Sequence, residues 1–336
     1  VLLLVHGLIC FIWFQNPLKS LFAQLVGISF SSIYYYNFLK IYGAKVAFNK
    51  YLQVAFFIAL MAIPMYFLKI NTFTYNRLNG ILTEPAHYAT IMLPAAYFLV
   101  RTKSYWKLSI VVLTIFMSKS SVGYLGLLAI LLFPLIRIKS FLKYSWVAIV
   151  ILVIGFFYLR MEWNKPMDEN KSNFFIRRLK QTEESLKSVH TGKFNSEINL
   201  STYAFLSNAF ITLQIVQHKP FGTGIGSYPY EYDKYYSLLK PPKYLLELKQ
   251  SKINRTDANS LFLRMFADLG IFSIVILLFF FVKAFGLFKN DKGILQQSVF
   301  MYLFVKLIRE GHYFPPEFYF FLLIFLKDFD SDFTYS

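Results

Sequence analysis

An all-α protein that crosses a membrane many times is the fold class this sequence predicts, on three observations. Of the 336 residues, 56% are hydrophobic and only 16% are charged, far from the balance of a soluble domain of that length. The apolar residues run in long blocks instead of amphipathic stripes, the pattern required of a chain whose solvent is lipid. Short basic loops separate the blocks at regular intervals.

The apolar segments fall at 2–14, 21–39, 51–68, 86–100, 105–117, 121–136, 144–159, 259–282, 294–308 and 317–326. Several are shorter than the roughly 20 residues of a straight span. About ten transmembrane helices are therefore expected, some tilted or half-buried. The chain opens at Val1 inside a hydrophobic stretch shorter than a full span, so further residues upstream are expected. Cys10 stands alone and rules out an intrachain disulfide; no cysteine–histidine pattern for a metal is present, and none is expected.

Charge orients the chain. Lys40, Lys45 and Lys50 share a loop, as do Arg101, Lys103 and Lys107, then Arg137, Lys139 and Lys143, then Lys283, Lys289 and Lys292. These loops alternate through the segment order and so lie on one side, which the positive-inside rule makes cytoplasmic. The outer side carries 69–85, Ser118–Ser121, 160–258 and 309–316. The expected organisation is an N-terminal bundle at 1–159, a large extracytoplasmic loop at 160–258 and C-terminal helices at 259–336. Topology accounts for part of the net charge of +17. The remainder suits an anionic substrate or lipid headgroups rather than nucleic acid.

Four polar motifs fall on the outer side. RLNGILTEPAHYA holds Arg77, Glu84, Pro85 and His87 before the fourth segment. Pro85 suits a first helical turn, and Glu84 and His87 would share a face if the helix reached back that far. SKSSVGYLG holds Lys119, an outer lysine that either snorkels to headgroups or serves a ligand. HKPFGTGIGSYPY holds Gly224 and Gly226. No strand pattern precedes it and no helix pattern follows, so a nucleotide loop is excluded and a tight turn approaching a substrate or the membrane is expected. TDANSLFLRMFADLGI and LIREGHYF form the fourth. Asp257 and Asn259 are candidate caps, Arg264 and Asp268 an i, i+4 pair at span depth, and Arg309, Glu310 and His312 a dense polar group at a membrane exit.

In this order the motifs resemble the bacterial O-antigen polymerase and O-antigen ligase superfamily, which includes capsular and exopolysaccharide polymerases. The resemblance runs from about Arg77 to the C-terminus. It rests on R-x-x-G-x-x-x-E-P before a span, a Ser/Lys break opening a span pair, and P-x-G-x-G-x-G-S at Pro220–Ser227 inside a large outer loop. An Asn-containing helix start with downstream Asp268–Ile271 completes it. The resemblance implies a GT-C-like membrane glycosyltransferase in the bacterial cytoplasmic membrane, working on the periplasmic or exterior face without a cofactor. It implies undecaprenyl-diphosphate-linked glycans as donor and acceptor, with other polysaccharide-assembly proteins as candidate partners.

Arg77, Lys119, Arg309 and His87 are then the candidate diphosphate or glycan ligands, with Gly224 and Gly226 nearby. His312, Asp257 and Glu84 are the candidates for the catalytic base. The chemistry agrees, because a diphosphate leaving group needs cations and an attacking hydroxyl needs a base within hydrogen-bond reach. Two departures stand out: Ala258-Asn259 replaces the His-Asn pair frequent in ligases, and Ser118-Lys119 replaces serine-arginine. The missing histidine favours a polymerase over a ligase. A transporter would need ionisable residues in several spans, and the polar motifs gather at one side instead.

Overall fold

A backbone surrounded by lipid must satisfy its own polar groups, and apolar blocks without a period of two do so as helices. The computed structural model describes residues 1–70, 76–136, 186–196, 198–315, 317–327 and 329. Every expected apolar segment among them is helical; 144–159 and the first part of the long loop lie outside the described residues. The helices are α1 (Leu2–Phe14), α2 (Leu18–Tyr42), α3 (Ala44–Phe67), α4 (Pro85–Arg101), α5 (Tyr105–Met117) and α6 (Ser121–Leu132). They continue with α7 (Ser188–Thr191), α8 (Leu200–His218), α9 (Tyr228–Tyr235), α10 (Lys243–Glu247), α11 (Leu261–Leu269), α12 (Phe272–Asn290), α13 (Ile294–Ile308) and α14 (Phe318–Leu326). Among the described residues no strand forms beyond an isolated Lys193–Lys240 bridge.

The described residues are all-α, and among them α3 and α12 are long and apolar enough to cross a membrane. The helices α1, α5 and α13, with α6 and the 3-10 turn that extends it to Ile136, are apolar but shorter. At 1.5 Å per residue a 13-residue helix covers about 20 Å of a roughly 30 Å hydrocarbon core.

The sequence reads 259–282 as one segment, and the structure divides it. Helix α11 ends at Gly270, whose φ is 58°, and α12 begins at Phe272. The reason lies in a second backbone. A Cβ on Gly270 would sit 2.2 Å from the Pro220 carbonyl oxygen, and one on Gly222 would sit 2.5 Å from that of Asp268. Glycine on both sides lets the 220–224 turn cross the helix break. There Ile271 N donates to Pro220 O at 2.9 Å and Gly224 N to Asp268 O at 2.9 Å.

Two compact units result. The first comprises Val1–Leu25, Phe141–Leu278 and Glu310–His312. Its core joins Phe210, Ile211 and Ile215 of α8 to Tyr228 and Tyr232 of α9 and to Leu263 and Ala267 of α11. The helix α9 follows the glycine turn directly, although no helix is legible there. Its buried residues are Tyr228 and Tyr232, at i, i+4, and Glu231, so hydropathy hides the buried face; Pro229 suits its first turn. The element before the turn is α8, a helix, so the strand of a dinucleotide loop is missing.

The second unit comprises Val26–Ser140, Phe279–Arg309 and Tyr313–Ser336. Its centre is α4, packed on α5, α6 and α13. Close approach depends on small residues: a Cβ on Gly126 would meet Leu93 at 2.2 Å, and one on Gly123 would meet Ala89 at 2.8 Å. Polar side chains lock the other end, where Tyr97 Oη donates to Gln297 Oε1 at 2.5 Å and Arg101 reaches Gln297 at 2.9 Å and Asp291 at 2.6 Å.

Candidate active site

In the first unit the site is built by backbone. Ala258 and Asn259 both hold positive φ, 59° and 60°, so the chain has not yet entered α11 at either residue. Ser260 is the cap instead of Asp257 or Asn259, its Oγ accepting from Leu263 N at 3.1 Å. Asp257 turns back on its own loop, Oδ1 accepting from Asn259 N at 3.3 Å. The Asn259 side chain is buried with neither its oxygen nor its nitrogen bonded. Asparagine adopts this left-handed conformation more readily than other side chains do, and its buried amide is the feature that stands out.

The segment 310–312 lies on this loop. Glu310 N donates to Asn259 O at 3.0 Å, and Gly311 passes so close that a Cβ would fall 1.4 Å from the Asp257 carbonyl oxygen. The contact delivers His312, whose Nε2 stands 3.6 Å from Asp257 Oδ2. That is too long for a hydrogen bond and short enough for charge contact. The His312 side chain is 62% exposed and that of Asp257 11%. A largely buried carboxylate therefore holds an accessible imidazole, an arrangement suited to taking a proton from a ligand.

Gly224 and Gly226 take up φ of 89° and 86°. What approaches them is the protein itself: Gly7 and Cys10 at Gly224, and Ser20 and Gln24 at Gly226. Their amides are also engaged, Gly224 N by the Asp268 carbonyl and Gly226 N by Asp268 Oδ2 at 3.3 Å. Arg264 Nε donates to the same Oδ2 at 2.9 Å, and its Nη1 donates to Thr256 O. The buried Arg264–Asp268 pair thus fastens the glycine turn and the 256 loop to α11.

In the second unit Arg77 and Lys119 come together. Arg77 Nε donates to Ser118 O at 3.1 Å and Nη2 to Lys119 O at 3.3 Å, on carbonyls at the end of α5 where the helix dipole favours a cation. Lys119 holds a φ of 48° and is exposed. Glu84 is the residue before α4, extended at φ −137° and exposed, so it shares no helix face with His87. His87 faces Glu317 instead, Nε2 lying 3.0 Å from Oε1. Tyr302 Oη donates to the same oxygen at 2.9 Å. Arg309 is the cap that ends α13, half-buried.

Sequence reasoning missed Glu317, Tyr302 and Lys306. The signals were a glutamate directly before the apolar run FYFFLLIFL and a lysine inside the apolar stretch of α13. Lys306 is wholly buried, its ammonium 5.5 Å over the Phe318 ring.

A family model described as O-antigen ligase matches residues 107–278, half of the chain. The match takes in Lys119, the glycine turn, Asp257 and the Arg264–Asp268 pair. Searches of the curated proteins and of the solved structures return no match.

Proposed function

The chain belongs to the O-antigen ligase family, and on that premise we propose that it polymerises undecaprenyl-diphosphate-linked repeat units into O-antigen, capsular or exopolysaccharide. Family and apolar helices together mark an integral membrane protein of the polymerase or ligase type. The reaction takes place on the outer face of a bacterial cytoplasmic membrane, with 160–258 as its outer cover.

An acceptor hydroxyl oxygen attacks the anomeric carbon of the donor glycan. The bond from that carbon to the diphosphate oxygen breaks, and undecaprenyl diphosphate leaves with the electron pair. The hydroxyl proton passes to His312, which stands beside the Asp257 carboxylate. Arg77, Lys119 and Arg309 are the cations assigned to the diphosphate, their charge complementing its own.

One observation carries this reading. The family's frequent histidine is absent from the sequence at Ala258, yet His312 stands 3.6 Å from Asp257, one residue away. The His312 ring thus stands beside the residue that precedes Ala258. The altered motif supports polymerase over ligase, since the histidine does not come from the usual position.

The test is made in the source bacterium. Deleting the gene leaves single repeat units on the acceptor if the protein is a polymerase, and unattached long chains if it is a ligase. His312→Ala lowers extension of purified lipid-linked repeats by about 10²-fold or more, and Arg77→Ala abolishes long polymer while the protein still inserts. Wild-type polymer in both variants would overturn the assignment.

A further inference from the structure

Glu317 is an acidic side chain set in an apolar bundle. It stands at the start of α14 and takes hydrogen bonds from His87 in the first turn of α4 and from Tyr302 in the second half of α13. Three helices of the second unit therefore meet at one carboxylate. Both side-chain bonds fall on Oε1, which fixes the plane of the group. Tyr302 is fully buried, whereas the side chains of Glu317 and His87 keep 19% and 26% of their exposure.

A plain tether between helices explains the buried tyrosine. It does not explain a carboxylate beside an imidazole, both partly open, because neutral side chains in their places would hold the helices at lower desolvation cost. Ionisable groups among membrane helices usually serve a ligand or a pathway. A carboxylate is suited to accepting hydrogen bonds from a neutral polyol, where each bond is charge-assisted.

We infer that Glu317, positioned by His87 and Tyr302, anchors the acceptor glycan by accepting hydrogen bonds from neighbouring hydroxyl groups of a sugar ring. It selects the acceptor and leaves the proton transfer to another group. This assignment rests on the proposed glycan-transfer reading, and the two fail in different ways.

The full chain, purified in lipid nanodiscs, is given the undecaprenyl-diphosphate-linked repeat unit isolated from the source cells. Extension is followed against acceptor concentration. In parallel, equilibrium binding of the free oligosaccharide released from that carrier is measured without turnover. Glu317→Gln is expected to raise the acceptor KM about tenfold or more and to weaken oligosaccharide binding equally, with kcat within about twofold. Glu317→Asp restores part of the loss. Tyr302→Phe, which keeps the ring packing and removes one bond to Oε1, gives a smaller KM rise and decides the matter if Glu317→Gln does not fold. Unchanged KM and binding in these variants, or a fall in kcat alone, would overturn the anchor. If wild-type protein does not extend the repeat, the polymerase reading falls, while weaker oligosaccharide binding by Glu317→Gln would still uphold the anchor.

Discussion

A Cβ built on Gly311 would lie 1.4 Å from the carbonyl oxygen of Asp257, a distance no neighbour can yield by adjusting a side chain. The partner atom is backbone, so any side chain there must push the 310–312 segment off the 257–260 loop. The Glu310–Asn259 bond and the His312–Asp257 contact would go with it. Gly311→Ala is therefore expected to lower polymer extension as far as His312→Ala does, about 10²-fold or more. Adding Gly311→Ala to His312→Ala should cost little more, because one interaction has already been lost. Rates of purified single and double variants check this; full activity in Gly311→Ala would remove His312 from the base role. The polar group Arg309, Glu310 and His312 was legible as chemistry. Asp257 was legible as a separate candidate base, but its nearness to His312 was not, since nothing local in the sequence marks a contact across 55 positions of chain.

At the scale of elements, the break between α11 and α12 is decided by two glycines that face each other's backbone. Hydropathy runs on through 259–282 and cannot register it, because the crossing turn comes from 220–224. Gly270→Ala places a methyl group against the Pro220 carbonyl at a residue whose φ is already 58°. A loss of roughly 2 kcal/mol or more is expected, from left-handed strain plus overpacking. Gly286→Ala in α12 is the control, for its Cβ would meet nothing within 4 Å. It is expected to be neutral or slightly stabilising, since alanine is the better helix former. Thermal unfolding of the purified variants, read by the loss of the monodisperse species, compares the two. Equal midpoints would show that the crossing is not under tension. The buried Arg264–Asp268 pair belongs to the same element: at i, i+4 it was legible as a pair, and its use in tying the glycine turn became visible only with Gly226 and Ser227 in place.

Across the whole molecule the net charge is +17, and the proposed sidedness of the loops that carry it can be tested directly. Cys10 is buried, and Cys10→Ser gives a chain without thiols. On that background Lys193→Cys in the long loop should react with a membrane-impermeant maleimide in intact cells. Lys289→Cys should react only after the membrane is opened. Both positions are exposed, so a difference in labelling reports sidedness rather than burial. The reverse pattern would invert the orientation and place the polar motifs on the cytoplasmic side.

Composition and block hydropathy by themselves determined that the chain is helical and belongs in a membrane, because lipid permits no other backbone solution for such blocks. The order of short motifs carried the family. Both are properties of residues near one another in sequence. Tertiary structure decided the rest: which histidine stands beside Asp257, why a glycine must sit at 311, and that Glu317 receives His87 across 230 residues. Each of those depends on close approach of distant backbone or on a hydrogen bond between helices, and neither leaves a periodic trace along the chain.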